Sequence, residues 1–100
     1  MDEWKHVDEA LQYYADVWQD HLPIEDLLYN MKSESLISEN EYRVINTMPS
    51  RRDKNGRICE ILKSKDSQDF ILFCKLLCMH PDGKLNDCGW MLREIAITGG

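Results

Sequence analysis

Apolar residues return every three or four positions along almost the whole chain and nowhere settle into the strict alternation of a half-buried strand, which restricts the fold to packed helices. The first stripe runs Trp4, Val7, Leu11, Tyr14, Val17, Trp18 and predicts one long amphipathic helix. Pro23 interrupts it. Ile24, Leu27, Leu28 and Met31 then restart the pattern in a shorter second helix, with the proline tolerated at its start. Lys32 to Ile37 reads as a turn. Ser38 with Glu41 three residues on is a capping-box pair opening a third helix. That helix buries Tyr42 and Ile45, with Val44 beside them, and stops near Met48-Pro49 because the residue before a proline avoids helical geometry.

Ser50 is the N-cap candidate for a fourth helix beginning at about Arg51, with Ile58, Ile61 and Leu62 on its core face. Gly56 in its middle costs up to about 1 kcal/mol relative to alanine. Asp66 opens a fifth helix whose Phe70, Phe73, Cys74 and Leu77 are spaced for burial, making it the most buried element. His80-Pro81-Asp82-Gly83 is a turn, after which Leu85, Cys88, Met91, Leu92 and Ile95 line a final helix ending at Thr98-Gly99-Gly100. About six short helices with brief links define an all-α antiparallel bundle, its first helix long and open to bending. At 100 residues the chain is one domain, residues 1–100, and Met1 fits the N-terminal module of a larger protein.

Several function classes are disfavoured by composition. The longest apolar run, Phe70 to Leu77, is interrupted by Lys75 and is far shorter than the roughly 20 residues that cross a bilayer. The acidic start MDEWKHVDEA lacks the basic and apolar regions of a signal peptide, so the expected location is cytoplasmic or nuclear. No G-x-S-x-G, H-E-x-x-H or phosphate loop is present, and His6, His21 and His80 stand isolated, so no catalytic residue is assigned and no cofactor is expected. Cys74, Cys78, His80 and Cys88 supply zinc-type ligands. Their spacing is poor for a tetrahedral site, and the two cysteines a helical turn apart read better as small buried hydrophobes, so no metal ligand is assigned. Arg51, Arg52, Lys54, Arg57, Lys63 and Lys65 form a basic run, but the pI near 4.9 and the absence of interleaved aromatics argue against nucleic acid. Trp4, Trp18 and Trp90 read as core or rim anchors, and any of them left exposed would be a binding hot spot.

The charge distribution is more informative than the net charge of −6. Residues 1–50 carry 11 acids and 3 bases, whereas residues 51–100 carry 7 acids and 9 bases, so the halves differ in sign. The stretch PSRRDKNGRICEIL crowds Arg51, Arg52, Lys54 and Arg57 at a helix start, where the macrodipole disfavours cations by about 0.3–1 kcal/mol each. Something must favour them there, and a partner's carboxylates are the reading adopted.

The segments HLPIEDLLYNM, LISENEYRVI and above all RICEILKSKDSQDFILFCKLL resemble the caspase recruitment domain (CARD) family of the death-fold superfamily. The last is similar to the family's fourth and fifth helices: an aliphatic pair, a short polar break, two phenylalanines three apart and a closing Leu-Leu. The resemblance covers somewhat more than half the chain, from Leu22 to Leu77. It departs from the family where Lys65-Asp66 replaces a common glycine, and around Cys88-Gly89-Trp90.

The resemblance implies a Greek-key-like six-helix bundle acting as a non-enzymatic, cytoplasmic signalling adaptor. Such a module makes homotypic CARD-CARD contacts, with another CARD protein or with itself, and nucleates helical oligomers in apoptotic, inflammatory or NF-κB signalling. Carried over by position, the basic contact surface is Arg51, Arg52, Lys54 and Arg57, and the acidic one Glu25, Asp26, Glu39 and Glu41. Helix one departs from the family scheme, being rich in Asp2, Glu3, Asp8, Glu9, Asp16 and Asp20, so the basic surface rests on helix four. Unlike patches on opposite sides of one domain would permit head-to-tail contacts that propagate.

Overall fold

In the computed structural model the described residues are 4–99. They form α1 (Val7–Tyr13), α2 (Leu28–Ser33), α3 (Glu39–Asn46), α4 (Arg51–Lys63), α5 (Ser67–Met79) and α6 (Gly83–Thr98). Helix one does not stop at Tyr13. It continues as a π-helical turn over Tyr14–Trp18, and a 3-10 turn over Ile24–Asp26 leads into α2. Asp2 and Glu3 of the acidic helix-one set, together with Gly100, lie outside the described residues.

The caps expected at Ser38, Ser50 and Asp66 are built, and Asp82 adds one that the turn at 80–83 did not announce. Ser38 and Glu41 form a reciprocal capping box, with the Glu41 amide donating to Ser38 Oγ at 3.0 Å and the Ser38 amide donating to Glu41 Oε1 at 2.8 Å. Ser50 Oγ accepts from the Asp53 amide at 3.1 Å, Asp66 caps α5, and Asp82 caps α6. At the other end of α6, Gly99 takes the left-handed conformation with φ 82°. A side chain there would also press on the His6 ring, 3.1 Å from the Cβ position. The His6 amide donates to Ala96 O at 2.8 Å, so the start of helix one is tied to the last turn of α6.

The core forms where α5 and α6 run against each other and against helix one. Tyr14, Phe70 and Phe73 are fully buried. The Tyr14 and Phe73 rings lie 5.7 Å apart, and the half-buried Trp4 meets Phe70 edge-on at 6.1 Å. The two helices pass closely at Gly89, where a Cβ would sit 2.7 Å from both Cys78 N and Leu77 Cβ. That contact explains a glycine inside a helix, which local propensity disfavours. Asn86 Nδ2 donates to the Cys78 carbonyl in the same region.

Three apolar positions expected on buried faces lie outside. Val17, Val44 and Met91 are exposed. Widening of the helix at Tyr14–Trp18 adds a residue to the turn, which brings Trp18 rather than Val17 toward the core. Ile45 fills the inner face of α3 and Leu92 that of α6, so their neighbours Val44 and Met91 are directed to solvent.

Candidate partner-binding surface

Helix four reaches the surface at its N-terminal turns and is anchored underneath by a buried polar residue, Asn55. Its Oδ1 accepts a 2.6 Å hydrogen bond from the Tyr14 hydroxyl, and its Nδ2 donates to Gln19 O at 2.9 Å and Leu22 O at 3.1 Å. Both donor hydrogens and the acceptor are thereby satisfied, the condition for holding an amide in an apolar interior. Asn55 fixes the end of the π turn and the chain that follows it to α4, which places Asp20, His21 and Glu25 beside Arg51 and Arg52. Sequence reasoning did not single it out. The available signal was a polar residue at 55 in register with Ile58, Cys59 and Leu62 on one helical face.

Arg51 donates through Nε and Nη2 to Glu25 Oε2, at 3.0 and 2.7 Å, and through Nη1 to His21 O at 3.4 Å. Burial alone would raise the Glu25 carboxyl, but the Arg51 hydrogen bond and charge, with Lys54 behind them, prevail and hold it below its ordinary value. Arg52 Nη1 donates to Asp20 Oδ1 at 2.7 Å, and Arg57 lies 3.5 Å from Glu60 within the same helix. These are charge-assisted contacts. The macrodipole objection is therefore answered partly inside the molecule, since three of the four cations, Arg51, Arg52 and Arg57, meet carboxylates of this chain.

On the acidic side, Glu25 is engaged with Arg51 and Asp26 is exposed next to it. Glu39 contacts Lys32 at 3.3 Å and Arg43 at 3.6 Å, and Glu41 is used by the capping box. The expected separation of unlike patches to opposite sides of the domain is not what the chain builds. They touch at Arg51 and Glu25, because Asn55 draws the α1–α2 connection onto the start of α4. Of the remaining members, Arg52, Arg57, Asp26 and Glu39 are exposed, and Lys54 and Glu41 are half-buried.

Beside the basic turns lies an open cleft of about 510 Å³ between helix one and α4, its lining including Ala15, Gln19, Arg52, Gly56 and Arg57. At Gly56 an added Cβ would meet the end of the Gln19 side chain at 2.9 Å, and Gln19 Nε2 donates to Arg52 O at 3.3 Å. Only the flexible Gln19 side chain comes within 4 Å of that Cβ position.

Among the described residues no group of His, Cys, Asp and Glu is placed to hold a metal ion. Of the zinc-type set, His80 Nδ1 accepts from the Asp82 amide, and burial pushes the thiols of Cys74, Cys78 and Cys88 up, so they remain protonated. No helix among the described residues is long and apolar enough to cross a membrane.

A six-helix bundle of this topology, with a charged outer surface set around its fourth helix, is a death-fold interaction module. The family model for the caspase recruitment domain matches residues 17–87, from the π turn into α6, and the chain belongs to the CARD family. No curated protein and no solved structure gives a match. CARD domains are homotypic protein-protein interaction modules, and this chain is one of them.

Proposed function

We propose that this CARD works as a non-enzymatic signalling adaptor in the cytoplasm, binding another CARD or a second copy of itself and nucleating helical oligomers in apoptotic, inflammatory or NF-κB signalling. The basic side of the contact is Arg52, Lys54 and Arg57, with Arg51 holding the base of the surface in place. The acidic side is Asp26, Glu39 and Glu41, with Glu25 at the junction. The observation that carries this reading is the Arg52–Asp20 pair, in which both side chains are about two-thirds exposed. An exposed pair of this kind contributes little to folding and is screened by salt. A partner carboxylate can therefore take over the Arg52 guanidinium without disturbing the fold, whereas Arg51, bonded to Glu25 and to His21 O, is committed internally. Planar guanidinium groups suit such a surface, since they grip carboxylates bidentately and set register and on-rate.

Light scattering with negative-stain microscopy across protein and salt concentration tests the reading. Association that weakens with salt and is lost on Arg52→Glu and Arg57→Glu is the expected outcome. Assembly and partner binding unchanged by both reversals would overturn it.

A further inference from the structure

The carboxylate that meets Arg52 belongs to this chain, and its backbone is held more firmly than its exposure suggests. Asp20 lies just past the π turn, between Gln19 and Leu22, whose carbonyl oxygens accept from Asn55 Nδ2 at 2.9 and 3.1 Å. Asn55 is buried and stands three residues after Arg52 on α4. One amide thus pins the chain on both sides of Asp20 to the helix that carries Arg52. Gln19 adds a further tie, donating through Nε2 to Arg52 O at 3.3 Å. Exposed ion pairs lose most of their Coulomb gain to the ordering of two side chains, and a pinned backbone reduces that loss.

Arg51 and Arg52 are paired in different ways. Arg51 turns two nitrogens, Nε and Nη2, on Glu25 and its third, Nη1, on His21 O. The Arg52 bond joins Nη1 to one oxygen, Asp20 Oδ1, at 2.7 Å. A guanidinium can also present two nitrogens side by side to the two oxygens of one carboxylate, which is the stronger arrangement. A partner carboxylate that meets Arg52 in that way has the better of the exchange. One that arrives with a single oxygen only repeats the contact that Asp20 already makes.

We propose that Asp20 is the selectivity residue of the helix-four contact: it stands in for the partner's carboxylate in the free domain and yields to a carboxylate that takes Arg52 with both oxygens. This role rests on the association through α4 proposed above and concerns how that surface chooses its partner. Because Arg52 is available only while the pair is open, Asp20 lowers the apparent affinity by the open fraction. A pair of ordinary exposed strength is open about a sixth to two-fifths of the time, so removing it tightens association by about two- to sixfold. Salt acts on both contacts, screening the partner's carboxylate and opening the internal pair, and the two effects oppose each other. Association of the unaltered chain therefore falls less steeply with salt than that of a chain lacking the pair.

Sedimentation velocity of the full chain across protein and salt concentration tests this with Asp20→Ala, and with Asp16→Ala as the control. Asp16 is another exposed acid of helix one, hydrogen-bonded to Gln12 Nε2 at 2.9 Å. Each variant removes one negative charge, but Asp20→Ala alone breaks the bond to Arg52. Asp20→Ala is expected to self-associate about two- to sixfold more tightly than the unaltered chain and with the steeper salt dependence. Asp16→Ala is expected to change neither by as much as about twofold, with melting temperatures confirming that both variants fold. Asp20→Ala that associates no more tightly would overturn the proposal. So would Asp16→Ala that tightens equally, since net charge would then account for the gain, and so would unaltered and Asp20→Ala chains that both stay monomeric at every concentration. Arg57→Glu keeps the two readings apart. Association lost in Arg57→Glu with no gain in Asp20→Ala leaves the α4 contact standing and removes the role of Asp20, whereas association that persists in both Arg52→Glu and Arg57→Glu removes the α4 contact and the role of Asp20 with it.

Discussion

The Tyr14 hydroxyl and the Asn55 side-chain carbonyl meet at 2.6 Å in the interior, joining residues 41 apart in sequence. Through this bond and the two that Asn55 donates to backbone carbonyls, the π turn of helix one and the approach to α2 are held against α4. The charged surface exists because of that joint.

Replacing Asn55 with alanine strands the Tyr14 hydroxyl and two backbone carbonyls, each an unpaired buried group costing about 1–3 kcal/mol. A loss of about 3 kcal/mol or more in urea unfolding is expected. Tyr14→Phe removes the hydroxyl alone, leaves only Asn55 Oδ1 unpaired, and should cost about 1–2 kcal/mol. Equal effects of the two substitutions would contradict the bridging role of the amide.

Glycines 56 and 89 both sit inside helices, where alanine is favoured by about 1 kcal/mol. At Gly89 an alanine Cβ would strike the backbone of α5 at 2.7 Å. Overpacking of about 1–3 kcal/mol then outweighs propensity, and Gly89→Ala should lower the melting temperature. At Gly56 the obstacle is the free end of Gln19, which can swing away. Gly56→Ala should therefore leave stability unchanged or raise it, and thermal unfolding of the pair reads both signs directly.

Ser35 adopts φ 62° just after α2, while the Leu36 amide donates back to Met31 O at 2.9 Å. This is the left-handed helix ending that glycine fills without steric penalty. Ser35→Gly should stabilise the protein by up to about 1 kcal/mol, the gain being reduced by the greater freedom of glycine in the unfolded chain. A lower melting point would show that the serine side chain contributes more than its backbone conformation costs.

Glu25 sets one limb of the acid response. Its folded pKa lies below the ordinary 4.5, so the stability it adds is complete above that value and is lost as pH falls through the depressed one. Melting temperature followed from neutral to acidic pH should fall less steeply below pH 4.5 in Glu25→Gln than in the unaltered chain. Parallel curves would mean that the Arg51–Glu25 contact does not persist in solution.

Much of the architecture was legible because helices announce themselves by period and cap. Ser38, Ser50 and Asp66 cap the helices expected of them, and Phe70, Phe73, Cys74 and Leu77 are buried as their spacing requires. Ideal periodicity failed where the backbone departs from it: the π turn exposes Val17, which a uniform helix would have buried. The charged residues around α4 could be named from the sequence, but their pairing could not. Arg51 meets Glu25 and Arg52 meets Asp20 across 26 and 32 residues, contacts set by tertiary placement through Asn55 and carrying no local signal. A glycine inside a helix is unfavourable by local propensity, yet at Gly89 the close passage of α5 makes it a requirement.

The central claim is that α4 presents a surface which another CARD contacts. Amide NMR spectra of isotopically labelled chain, titrated with unlabelled chain at low salt, test it most directly. The expected result is shift change and broadening at residues 51–57 and at Asp26 and Glu39, reversed by added salt. Association that leaves the amides of residues 51–57 unperturbed would contradict it.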